Sequence, residues 1–169
     1  MDFINKIQKS ILKVLAHIIK CNVFVCYTSK NEKEAFEIKK LVDKFGGISF
    51  MAPYSITGGK DSKRTIISNV DGCDIFLPLI SQEASKSPYA NQEIGAAILS
   101  KTKSKKEIIP VILGKVNPKN LGYLYDIQHY KYNDLSFKKY LRNRISAKYS
   151  KFFVVVIIIL VFILLSYPK

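Results

Sequence analysis

The chain of 169 residues contains no tryptophan, two histidines and three cysteines, and its 13 acidic residues face 27 lysines and arginines. Two isolated histidines, His17 and His129, are too few for a metal cluster, so metal-dependent chemistry is not expected. Cys21, Cys26 and Cys73 are odd in number and form no CxxC pair. That excludes a disulfide framework and fits a reducing compartment. Neither GxGxxG nor GxxxxGK[ST] occurs, so a Rossmann fingerprint and a Walker loop are both unsupported. Gly58-Gly59-Lys60 has the composition of a mobile loop and makes no nucleotide motif on its own.

What is present is charge, with a net of +14, and its placement matters. Residues 1–21 carry +3, residues 22–137 carry +4, and residues 138–169 carry +7 with no acid at all. The central region is therefore an ordinary mixed-charge domain. It lacks the dense basic stripe with interleaved aromatics that single-stranded nucleic acid would need, so no nucleic-acid partner is expected.

The C-terminal charge flanks an unbroken apolar run from Phe152 to Leu165, extended by Ser166 and Tyr167 to 16 residues. As a helix this spans about 24 Å at about 1.5 Å per residue, against roughly 30 Å of hydrocarbon. Snorkelling Lys151 and Lys169 or a thinner bilayer would make up the difference. The alternative is a buried strand or core helix. The run predicts a single-pass C-terminal transmembrane helix over 152–167, preceded by a basic juxtamembrane helix over 138–151. Lys138, Lys139, Arg142, Arg144, Lys148 and Lys151 lie upstream and only Lys169 downstream, which places the folded domain on the cytoplasmic side of the cell membrane. The same basic cluster can attract anionic headgroups.

Residues 1–20 read as an amphipathic helix, with Ile4, Ile7, Ile11, Leu15 and Ile18 at helical spacing and Lys6, Lys9 and Lys13 off the stripe. Lysines interrupt any apolar core and no small-residue cleavage site follows, so the segment is not a secretory signal. It either packs on protein or lies on a membrane surface.

Between these ends the pattern alternates. Residues 22–27 form a short apolar strand, and 31–45 a helix with Ala35, Phe36, Ile38, Leu41, Val42 and Phe45 inward, stopped by Gly46-Gly47. Strands follow at 48–51, 74–80, 107–113 and 127–132. A helix capped by Asp61 runs to about Val70, a polar loop covers 81–87, a helix starts near Pro88, and a basic helix begins near Leu135. Five strands alternating with helices predict a doubly wound α/β domain over 21–137 with a five-stranded parallel sheet. Its ligands would sit beyond the strands' carboxyl ends.

Four segments, in order, resemble the boxes of a Toll/interleukin-1 receptor (TIR) domain of the prokaryotic type. Val23-Phe24-Val25-Cys26-Tyr27-Thr28-Ser29-Lys30 is similar to the opening "FISY-S-x-D" box, with Asn31 near the usual acid. Phe50 to Asp61 is similar to the second strand and its BB loop, and Cys73 to Ser81 to the third strand. Ser87-Pro88-Tyr89-Ala90-Asn91-Gln92-Glu93-Ile94-Gly95 is similar to the diagnostic helix "SPWC-x-x-E-x-G/A". The resemblance implies a flavodoxin-like fold and NAD+ glycohydrolase or cyclase activity with Glu93 as the catalytic carboxylate. NAD+ would be the substrate, with no cofactor. It further implies self-association through the BB loop, in antiviral defence signalling. Tyr27, Ser29, Lys60, Ser87 and Tyr89 are the expected substrate-binding positions. Tyr89 stands one helical turn before Glu93, where the family often has Trp. Ser87, just before Pro88, has helix capping as its other role.

The chemistry suits one carboxylate. Breaking the nicotinamide–ribose bond leaves an oxocarbenium-like ribose that a carboxylate can stabilise, and nicotinamide departs as a neutral ring without a general acid. The sequence offers no second acid at this site. Two other readings remain open at this point: a non-catalytic TIR interaction module, suggested by the missing Trp and by Asn31, and a nucleoside-cleaving relative on the same scaffold.

Overall fold

The computed structural model describes residues 20–53, 72–86, 94–95, 106–117, 120, 122 and 124–166, with side chains beyond Ser150 described only at Val154 and Ile157. Expectations for the N-terminal amphipathic helix, the BB loop, the Asp61-capped helix and most of the helix after Pro88 lie outside these residues.

Six consecutive residues with no charge, Asn22–Tyr27, form strand β1, buried along its whole length. Such a strand needs neighbours on both sides and layers on both faces. It has them: β2 (Ile48–Pro53) lies on one side and β3 (Ile75–Ile80) on the other. The remaining strands are β4 (Glu107–Ile108), β5 (Val111–Ile112) and β6 (Tyr130–Lys131). The order is β2-β1-β3-β5-β6 with β4 also on β3, and every pairing among the described residues is parallel. This is the doubly wound, flavodoxin-like arrangement expected from the sequence.

The expected strand over 107–113 is split into β4 and β5 at Ile109-Pro110. The cause faces it. The Phe76 and Ile80 carbonyls accept from the Ile109 and Leu113 amides, each at 2.9 Å. Pro78, between them on the same edge of β3, has no amide to return. The strand expected over 127–132 is likewise reduced to Tyr130–Lys131.

Alternation along the strands sends side chains to two cores. Val23, Val25, Leu77, Leu79 and Val111 face one side. There they meet Ala35, Ile38 and Val42 of helix α1 (Glu32–Lys44) and Phe137, Leu141 and Ile145 of helix α3 (Leu135–Ser166). Phe24, Cys26, Phe76, Ile80 and Ile112 face the other side, with Ala84 of helix α2 (Gln82–Lys86) and with Ile94. The Phe24 and Phe76 rings stack there at 5.7 Å. Phe36, expected inward, is 51% exposed because it falls between the buried positions 35 and 38. Helix α2 replaces the loop expected over 81–87, since Ser81 caps it: its hydroxyl accepts from the Ala84 amide at 3.2 Å.

Helix α1 ends as the glycines predict. Gly46 sits at φ +87°, and the Gly47 amide returns to the Val42 carbonyl at 2.9 Å. A Cβ on Gly47 would meet Val42 Cγ1 at 2.7 Å.

The C-terminal expectation requires correction. Residues 152–166 do not start a helix of their own; they continue α3, whose first four turns pack on the sheet. Among the described residues no helix is long and apolar enough to cross a membrane. Helix α3 is fixed at the amino ends of the strands. Lys148 pairs with Asp74, which also accepts from the Asn22 amide at 2.7 Å, and Glu107 accepts from Tyr140 and Arg144. These charges hold the basic helix to the domain at the pole away from the strands' carboxyl ends.

Candidate functional site at the β1/β3 switch point

The chain leaves β1 toward β2 and leaves β3 toward β4 and β5, on opposite sides, so the topological switch point, where doubly wound sheets form their ligand crevice, lies above Tyr27 and Ile80. Tyr27 ends β1, buried, and its hydroxyl pKa is pushed up first by burial and then by nearby Glu32. Thr28 is buried and donates its hydroxyl to Asn31 Oδ1 at 2.6 Å, while the Asn31 amide returns to the Thr28 carbonyl at 2.8 Å. This closed ring of two bonds fixes the turn Ser29–Asn31 and leaves Ser29 exposed at the crevice.

Across the crevice, α2 starts at Gln82 directly after β3. Glu83 lies in its first turn, with its carboxyl held below the usual range first by its own backbone amide and then by the Ser81 hydroxyl. Lys30 Nζ lies 3.9 Å from Glu83 Oε1, so an exposed ion pair links the loop after β1 to the helix after β3. Glu83 thus adds an exposed acid at the carboxyl end of β3, beside the loop that follows β1. Nothing in the sequence singled out Lys30 or Glu83, because only the β1–β3 pairing brings them together.

The structure thus places Tyr27 and Ser29 on one wall. Lys60, Ser87, Tyr89 and Glu93 lie outside the described residues. Their chain neighbour Ile94 is described: it is 3% exposed, in the core beside Phe76 and Ile80 on the α2 face of the sheet. Cys21 and Cys73 are poor nucleophiles: burial above all pushes the Cys21 thiol up to about 12 and the Cys73 thiol to about 11, where thiolate is scarce at neutral pH.

A TIR-domain family profile matches residues 23–146. Among solved structures, the chain is similar to the TIR domains of the activated Roq1 resistosome, a complex that directly recognises the pathogen effector XopQ. The identity is 11% and the TM-score 0.55, over 75% of this chain and 98% of that one. At that identity the likeness is one of fold. No curated protein matches the chain. The family boxes, the strand order and the profile over most of the chain agree, and the chain belongs to the TIR-domain family.

Proposed function

We propose that the chain is a TIR NAD+ nucleosidase that cleaves the nicotinamide–ribose bond, with Glu93 as its catalytic carboxylate. The product is ADP-ribose or a cyclic variant, and the role is defence signalling triggered by self-association. The observation that carries this reading is the switch point between β1 and β3, with Tyr27 ending β1 and Ser29 exposed in the turn that follows. The Ser87–Gly95 segment follows directly from α2, and Ile94 is buried in the core on that side of the sheet.

Tyr27, Ser29, Lys60, Ser87 and Tyr89 would hold the dinucleotide, and Glu93 would face the ribose as positive charge develops on it. NAD+ is substrate here, and no cofactor enters the reaction. Association through the BB loop would assemble active protomers in a cytoplasmic compartment. The apolar residues 152–167 would seat the chain at a bilayer and raise its local concentration.

The test is nicotinamide release from NAD+ by concentrated protein in micelles, with product chromatography. Wild type should turn over and Glu93→Ala should lose at least about a hundredfold. Equal activity in both would remove Glu93 from the mechanism. Asn31 favours a second reading, a non-catalytic interaction module, since its side chain serves as acceptor for Thr28 where the family usually has an acid. Assembled protein that binds TIR partners yet never releases nicotinamide would support that alternative.

A further inference from the structure

A cavity of about 370 Å³ opens at the carboxyl ends of β5 and β6, against the first turn of α1. Ligands of doubly wound sheets gather at this pole, but the cavity lies past β3 from the crevice described above. Its volume falls in the range of small-molecule sites. Ile112 and Leu113 form an apolar floor. Gly114, at φ +71° and with no atom of the described residues within 4 Å of where a Cβ would stand, leaves its backbone open to a ligand. The polar groups are Glu34, Lys131, Tyr132 and Asn133.

Glu34 carries the unusual feature. Its Oε2 is buried and has no hydrogen-bond partner among the described residues. A carboxylate oxygen withdrawn from water without a donor is costly, and a ligand hydroxyl met by rotation of the carboxylate into the cavity would relieve that cost. Lys131, exposed on the same cavity, offsets the charge of Glu34, and no ion pair joins the two. The ligand that fits is therefore neutral. One carboxylate accepts, one ammonium donates, and an amide and a phenol do both, beside an apolar floor. That set matches vicinal hydroxyls joined to a flat or apolar body.

We infer that this cavity is a second binding site, for a neutral ribose-bearing small molecule of the nucleoside class, with Glu34 accepting from the sugar hydroxyls. It does not depend on nicotinamide cleavage, and a nucleoside without a nicotinamide bond probes it separately. The experiment is titration of the isotope-labelled full chain in micelles with adenosine, followed by amide chemical shifts. Saturable shifts at Gly114 and at Lys131 to Asn133 are expected. Glu34→Ala should weaken binding by about tenfold, the worth of one lost hydrogen bond. Gly114→Asn, whose side chain tolerates a positive φ and projects into the cavity, should weaken it as well. 2′,3′-Dideoxyadenosine, lacking both hydroxyls, should bind more weakly than adenosine. Unchanged shifts at Val25 and Leu77 would establish that each variant is folded. Shifts confined to Tyr27–Ser29, no saturable shift, or equal binding by Glu34→Ala would each overturn the assignment.

Discussion

Tyr149 donates its hydroxyl to the carbonyl of Gly46, a residue 103 positions earlier, and so ties the fourth turn of α3 to the turn that ends α1. The contact joins a basic helix to a glycine turn at the pole opposite the β1/β3 crevice. Around it, Lys148 meets Asp74 and Arg144 meets Glu107. Charges that read as a bilayer-facing cluster in the sequence are partly used to dock the helix.

Gly46→Ala should destabilise the fold by about 1 kcal/mol or more, because φ is +87° and the added Cβ would lie 2.9 Å from Tyr149 Oη. Tyr149→Phe alone should cost about 1 kcal/mol for the lost hydrogen bond. The double variant should cost less than the sum, since the phenylalanine ring lacks the clashing oxygen. Urea denaturation of the four proteins measures the coupling; strict additivity would separate the two effects.

Leu141→Ala should cost about 2–5 kcal/mol, as Leu141 is fully buried between α3 and the sheet. The same substitution at exposed Leu135, 77% accessible, should change stability by less than about 0.5 kcal/mol. Equal denaturation midpoints would mean that α3 does not belong to the domain core.

Tyr140 donates to Glu107, and that bond, with burial second, pushes its pKa from 10.0 up to about 12. The folded state thus favours the neutral phenol. Its contribution is complete below the unfolded pKa and is lost as pH rises from 10 toward 12. Tyr140→Phe should therefore be less stable than wild type at neutral pH, with the gap closing across that window. Denaturation midpoints at stepped alkaline pH read this directly, and a constant gap would contradict it.

A chain ending at Ser150 retains Phe137, Leu141, Ile145 and Tyr149 and should fold, whereas the full chain alone should float with lipid vesicles. Flotation of both would move membrane attachment away from residues 152–167.

The alternation of short apolar strands with helical spacing made the doubly wound class legible from residues 22–137, and Gly46-Gly47 marked the end of α1 in advance. Local chemistry suffices there: φ at Gly46 and burial of β1 on both faces follow from residue type. The split at Pro110 was less legible. It depends on Pro78 in the facing strand, a pairing that no local window contains. Phe36 misled for the opposite reason, being apolar next to the stripe but turned outward by the helical pitch.

The candidate site divides the same way. The order of boxes pointed to Glu93 and to Tyr27 and Ser29 because each motif is contiguous in the chain. Lys30 and Glu83 meet only because β1 and β3 are parallel neighbours. Glu34 shares a cavity with Lys131 only because β6 closes the sheet beside α1. Sequence by itself determined the central strands, helix α1, the sheet class and the family boxes, since these rest on periodicity and on residues close along the chain. Tertiary structure alone decided how α3 docks, where the acids stand around the crevice and which carboxylate oxygen is left without a donor, because those depend on contacts between residues far apart in the chain.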